Sequence, residues 1–161
     1  MKNTNNLLLL GNPKLYQTSA AVKESERQLV NGWVGDLHRV VEEIRDKYSF
    51  GRAIAAPQLG IMKRLIYVNI EKPKVFINPK FTYMSDETFE LWDDCMSFPA
   101  LLVKVKRHKT VTIKYLNSDW QSCEETFTDD LAELIQHEYD HLDGILSTMR
   151  AIDSQSFRWA S

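Results

Sequence analysis

His137, Glu138 and His141 form the pattern His-Glu-x-x-His within Gln136-His137-Glu138-Tyr139-Asp140-His141-Leu142-Asp143-Gly144. On a helix, positions i and i+4 lie one above the other on the same face. Two imidazoles placed this way can hold one metal ion. A glutamate directly after the first is close enough to move protons for water at that ion. These are the minimum parts of a metal-dependent hydrolase. The competing reading is a solvated helix face that carries the pattern by chance.

Two ligands do not close a catalytic site, which needs three protein ligands and one open position. His38, His108, Asp143 and Cys95 are the candidates for the third. Cys95 lies in Trp92-Asp93-Asp94-Cys95-Met96-Ser97-Phe98-Pro99, where a strand end and a proline turn can present its sulfur inward. A thiolate also brings charge that two neutral imidazoles lack. A second stretch, Gly51-Arg52-Ala53-Ile54-Ala55-Ala56-Pro57-Gln58, is rich in small residues, which let a backbone approach a ligand closely. The Gln58 amide can donate a hydrogen bond to a developing oxyanion.

The elements that must position these groups read as α+β. Ser25 to Tyr48 is helical, with Leu29, Trp33, Leu37, Val40, Val41 and Ile44 forming an apolar stripe, weakened locally by Gly32 and Gly35. Before it, Leu7 to Leu10 reads as a short buried segment that ends in the turn Gly11-Asn12-Pro13. Strands are expected at Arg64 to Ile70, Val75 to Tyr83, Thr88 to Trp92, Leu101 to Val105, Thr110 to Leu116 and Glu124 to Phe127. Pro73 and Pro79 punctuate them, and Asn117-Ser118-Asp119 is a turn. Thr128 offers an N-cap, followed by Asp129 and Asp130, for a helix running to about Leu142, with Gly144 as its C-cap. The expected fold is mostly antiparallel strands around a central metal-binding helix, with a long N-terminal helix.

Bulk properties narrow the class. With 161 residues, 43% hydrophobic and 26% charged, the chain suits one soluble domain with a real core, here residues 1–161. A net charge of -2 argues against nucleic-acid binding, and the small basic cluster Lys104, Lys106, Arg107 and Lys109 reads as a solvated strand face. Leu7 to Leu10 is too short for a membrane span or a signal-peptide core, so no membrane partner and a cytoplasmic location are expected. Two cysteines, Cys95 and Cys123, make no disulfide framework.

The three stretches, in this order and spacing, resemble the three motifs of the peptide deformylases: Gly-x-Gly-x-Ala-Ala-x-Gln, Glu-Gly-Cys-x-Ser and His-Glu-x-x-Asp-His or His-Glu-x-Asp-His. His137-Glu138-Tyr139-Asp140-His141 fits the third, and Leu10-Gly11-Asn12-Pro13-x-Leu15 resembles the family's N-terminus. The similarity runs from about Leu7 to Ile152. It implies that Cys95, His137 and His141 bind one divalent metal, usually Fe²⁺ and replaceable by Zn²⁺, Ni²⁺ or Co²⁺. It makes Glu138 the general base and then the general acid. The Gln58 side chain and the Met96 backbone N–H become the oxyanion donors. The resemblance also implies an N-formylated peptide as substrate, with ribosome association if nascent chains are the target. Asp140 is the nearest carboxylate by sequence to orient a ligating imidazole. Arg107 resembles a position that can contact the peptide backbone, with a surface arginine as the alternative.

Departures from these motifs bear on the substrate. Asp93 and Asp94 stand where the family has glutamate and glycine, Ala53 replaces the second glycine, and Arg52 occupies a usually apolar position. Asp130, Glu133 and Leu134 can share the helix face of His137, which in relatives is apolar and lines the pocket for a methionine side chain. Arg52, Ala53, Asp93, Asp94, Glu133 and Leu134 are therefore the candidate substrate-binding residues. Either the acids point to solvent or pair with Arg52, or the pocket is polar. Three functions follow: deformylation of formyl-methionyl peptides with release of formate, the same chemistry on a polar or charged small N-formyl substrate, or a catalytically silent binding module. An ordinary zinc peptidase is a further alternative, but it takes histidine or carboxylate as third ligand.

Overall fold

The computed structural model describes residues 1–160. Helix α1 spans Val30–Tyr48. Val30, Leu37, Val40, Val41 and Ile44 recur at three- and four-residue steps and are all buried, which gives the helix one apolar face. The helix starts later than the stripe predicts. Glu24–Leu29 form a 3-10 turn first, and Leu29 is exposed. Glu26 accepts the Lys23 N–H and a bond from Lys63 Nζ, and such side-chain bonds compete with the α-helical ladder.

Among the described residues there are eight strands. They are β1 (Ala53–Ala55), β2 (Leu65–Asn69), β3 (Pro73–Met84), β4 (Thr88–Asp93), β5 (Leu101–His108), β6 (Thr110–Leu116), β7 (Ser122–Thr128) and β8 (Phe157–Trp159). One sheet has the order β1-β2-β3-β6-β7 and the other β4-β5-β8, with every pair antiparallel. The α+β expectation therefore holds. β1 escapes the sequence reading because all three of its residues are buried and leave no alternation to see. β8 is a short edge strand in the C-terminal tail, where Phe157 and Trp159 stay exposed. Pro79 does not end β3. It sits at a register shift between Ile77 and Lys80, beside Asn78 at φ 51°, where a missing N–H costs little.

Leu7 to Leu10 is extended but only half-buried, and Leu9 and Leu10 face solvent. Its role is in its backbone. The Leu8 N–H donates to the Gln58 carbonyl and the Leu10 N–H to the Ser97 carbonyl, so the strap ties two motif segments together.

Helix α2 spans Asp129–Leu142. Asp129 and Asp130 in its first turn complement the helix dipole. Thr128 precedes it in extended conformation but makes no side-chain cap bond. Asp129 instead adopts φ 54° and donates its N–H to the Lys109 carbonyl. Ala132, Ile135 and Leu142 pack into a core with Ala55, Ile66, Phe76, Val111 and Ile113 from the larger sheet. The opposite side of α2 meets β5 of the smaller sheet. Gly144 has φ 72°, one residue past the C-cap Asp143, and a Cβ there would lie 2.6 Å from the Tyr16 backbone. Only glycine fits that approach.

Candidate metal centre

Three segments converge where α2 passes between the two sheets. The first is β1, continued by the 3-10 turn Ala56–Leu59, which carries Gln58. Gln58 is fully buried, and its Oε1 accepts the Ala55 N–H at 3.0 Å. That bond aims the Nε2 group outward from the turn, where it donates to Ser97 Oγ at 3.1 Å and lies 3.6 Å from Cys95 Sγ. The second segment leaves β4 and turns at Cys95, where the Phe98 N–H donates to the Cys95 carbonyl. The third is α2, with His137, Glu138 and His141 all buried.

Cys95 Sγ and one ring nitrogen each from His137 and His141 lie within 4.8 Å of one another. Cys95 Sγ is 3.5 Å from His141 Nε2. Donor atoms about 2.0–2.3 Å from a shared ion in tetrahedral array stand roughly 3.3–3.8 Å apart, so the spacing fits one ion. The electrostatics fit as well. Burial, and then the charge of His137, push His141 well below the usual histidine range, which keeps it a neutral ligand. Burial works against charge on His137 too, but Asp93 and Cys95 outweigh it and hold His137 well above that range. His141 Nδ1 is buried without a partner.

Among the third-ligand candidates, the structure brings only Cys95 to the histidines. His38 Nδ1 bonds the Tyr67 hydroxyl, His108 Nδ1 faces the Ser85 carbonyl at 2.7 Å, and Asp143 pairs with Arg64 at 2.9 Å. Cys123 sits on β7, half-exposed, and takes no part in the cluster.

Two expectations about supporting residues are corrected. The carboxylate that orients a ligating imidazole is Asp93, not Asp140. Asp93 Oδ2 lies 2.8 Å from His137 Nδ1, and despite the cost of burial His137 and Arg107 hold Asp93 below the usual carboxylate range. Arg107 is buried, not a surface arginine, and is not among the residues that line the cavity beside the cluster. β5 alternates, so Val103, Val105 and Arg107 point inward while Lys104 and Lys106 point away. Buried Arg107 bridges Asp93 at 3.4 Å and Asp140 at 2.7 Å, and Arg150 closes the group with bonds of 2.6 and 3.0 Å to Asp140. Three carboxylate-to-cation links therefore brace His137 from behind. Sequence reasoning missed Arg150, and nothing in the spacing of the motifs points to it.

A cavity of about 270 Å³ opens beside this cluster. Cys95, Met96, His137 and Glu138 line it, as do Arg52, Ala53, Asp93, Asp94, Glu133 and Leu134. Glu138 is buried, and burial pushes its carboxyl up to about 7, although His137 pulls the other way. One of its oxygens has no partner. That suits a proton acceptor working near neutral pH. Gly51 at φ 121° lets the first motif pass close to Met96, where a Cβ would meet Met96 Cε at 3.0 Å and Ile44 at 3.3 Å. Arg52 pairs with exposed Asp130, while Glu133 is buried rather than solvent-facing.

Two sheets clasping a helix that bears two histidines and a glutamate, with a cysteine thiol closing the cluster, define a metal-dependent amide hydrolase. The chain belongs to the polypeptide deformylase family, whose family model matches residues 4–157. Peptide deformylases of Pseudothermotoga lettingae and Treponema pallidum are each 36% identical, over 86% and 87% of this chain and 77% and 83% of theirs. The crystal structure of peptide deformylase from Thermotoga maritima superposes with a TM-score of 0.81 at 28% identity, covering 91% of this chain and 97% of that one. A Met-Ala-Ser-bound deformylase of Acinetobacter baumannii gives 0.82 at 30% identity, over 89% and 97%. Family members are metal-dependent hydrolases that remove the N-formyl group, and the Cys-His-His cluster supplies this chain's site for a divalent metal.

Proposed function

We propose that this protein hydrolyses the N-formyl group of formyl-methionyl peptides and releases formate. One observation carries the reading: Cys95, His137, His141, Glu138 and Gln58 meet in one buried centre beside an open cavity. Held by Cys95, His137 and His141, a divalent ion would supply Lewis acidity and lower the pKa of a water from about 15.7 toward about 7. Fe²⁺ is our assignment, with Zn²⁺ or Ni²⁺ able to stand in. A thiolate with two imidazoles suits any of these.

The chain's own residues divide the remaining work. Glu138 takes the proton of the attacking water and delivers it to the leaving amine, a task matched to a carboxyl near 7. Gln58 Nε2–H and the Met96 backbone N–H donate to the oxyanion of the tetrahedral intermediate. Gln58 is held for this by its Oε1 bond to Ala55 and by Ser97. Asp93 keeps the Nδ1 proton of His137, leaving Nε2 as the ligand atom.

Both sheets and α2 contribute to this one centre, which supports reading the chain as a single catalytic domain. No helix among the described residues is long and apolar enough to cross a membrane. We place the protein in the cytoplasm, where formylated nascent chains arise, and expect contact with the ribosome there. Formate release from formyl-Met-Ala-Ser by the iron-loaded protein tests the activity. Full metal occupancy with no formate would overturn it.

A further inference from the structure

Five consecutive residues, Ser49 to Ala53, line the cavity beside the metal cluster. Only Ala53 among them belongs to a helix or strand. Ser49 caps α1 at φ 60° and Gly51 follows at φ 121°, so the chain takes two positive-φ steps before it enters β1. A stretch outside any helix or strand ladder is the kind that opens most easily. Arg45, in the last turn of α1, ties this one down. Its Nε and Nη2 both donate to the Gly51 carbonyl, at 3.1 and 3.0 Å, and Nη2 also donates to the Asn69 carbonyl at 2.6 Å. The Asn69 N–H in turn donates to the Arg52 carbonyl at 2.7 Å. The end of α1, the end of β2 and the cavity-lining segment are thus closed into one ring of hydrogen bonds.

Arg45 is half-buried and stands outside the reacting groups. It bonds Gly51, Asn69 and Glu42, and among the described residues it bonds none of Cys95, His137, His141, Glu138 and Gln58. Its planar guanidinium fixes two donors on one carbonyl oxygen, which a flexible ammonium does not do. We propose that Arg45 is a positioning residue for substrate: it holds residues 49–53 in the conformation that receives the peptide, and so sets peptide affinity without entering the chemical step. The inference rests on the deformylase reading for its substrate and adds a residue from outside the three motifs. A protein that is binding-competent for only a fraction of the time shows an affinity weakened by that fraction. Once the peptide is bound it orders the segment itself, so the bound complex turns over as before.

The test compares wild type, Arg45→Met, Arg45→Lys and Arg39→Met as metal-loaded full chains. Methionine keeps an apolar stem and a good helix propensity, so α1 is retained. Arg39 is the control, because it bonds the Lys2 carbonyl and Asp36, neither of which lines the cavity. With formyl-Met-Ala-Ser, Arg45→Met should raise KM on the order of tenfold and leave kcat within about twofold. Arg45→Lys, which keeps one donor but not the fork, should fall between it and wild type. Arg39→Met should match wild type. Calorimetry with the product peptide Met-Ala-Ser should give the same order of affinities, at equal metal content. Exchange of the Asn69 amide, read by NMR with no peptide present, should quicken on the order of tenfold in Arg45→Met. Unchanged KM and product affinity in Arg45→Met, a fall in kcat at constant KM, or an equal loss in Arg39→Met would overturn the proposal. Loss of metal from Arg45→Met would overturn it too, by placing the residue's role in the metal centre. If the metal-loaded wild type releases no formate, the deformylase reading fails, while the product affinities and the Asn69 amide still decide the role of Arg45.

Discussion

Asp93 Oδ2 stands 2.8 Å from Nδ1 of His137, and that contact decides which nitrogen of the ring is free to bind a metal. The pair comes from two different motifs, the end of β4 and the middle of α2, so the hairpin and the helix hold the ligand jointly. Asp93 in turn leans on buried Arg107. Asp93→Asn keeps the shape and removes the charge. Chelator competition should show metal affinity lowered about 10–100-fold, as for other carboxylates that orient a ligating histidine. Unchanged affinity would mean the contact is incidental.

Arg107 answers two buried carboxylates, Asp93 and Asp140. Arg107→Met leaves Asp93 with only His137 and Asp140 with only Arg150. Breaking a buried pair from one side costs about 3–5 kcal/mol. Denaturant unfolding should show a loss of that order, larger than for Arg150→Met, because Arg150 is partly exposed.

Glu133 gives a pH signature. Its carboxyl is pushed from 4.5 up to about 7 by burial and by Asp93. A carboxyl raised in the folded state takes up protons on folding, so its contribution is present at low pH and lost as pH rises. Relative to Glu133→Gln, the metal-free wild type should lose stability between pH 4.5 and about 7, with a constant gap above. Thermal melts across that range check this. A parallel pair of curves would contradict the buried placement of Glu133.

The end of α2 depends on Gly144. In Gly144→Ala the Cβ would sit 2.6 Å from the Tyr16 carbonyl carbon and oxygen, in a left-handed conformation. Either the Tyr16 backbone moves or the helix end does. Tm should fall by several degrees. Metal affinity should fall with it, because His141 lies in the last turn.

Much of this was legible in the sequence because the chemistry is local. His137, Glu138 and His141 share one helix, so their spacing exposes them, whereas Cys95 and Gln58 sit in short turns next to strands and are singled out by the resemblance to the family motifs. The supporting residues come from farther apart. Asp93 reads as a substitution of a motif glutamate, yet its partner Arg107 lies on the opposing strand, and only the alternation Val103, Val105, Arg107 hints that it points inward. Arg150 reaches Asp140 from a 3-10 turn beyond α2, and no periodicity announces that. β1 was hidden because full burial erases the two-residue pattern. Leu29 misled because an apolar residue in phase with the stripe can still fall in a preceding 3-10 turn, where the face rotates.

The central claim is that Glu138 acts on a formyl group at a centre held by Cys95, His137 and His141. Formate release from formyl-Met-Ala-Ser, measured for wild type and Glu138→Ala at matched metal content, tests it most directly. The wild type should release formate, and Glu138→Ala should bind metal equally well yet turn over at least about 100-fold more slowly. A metal-loaded wild type that releases no formate, or a Glu138→Ala protein as fast as wild type, would contradict the account.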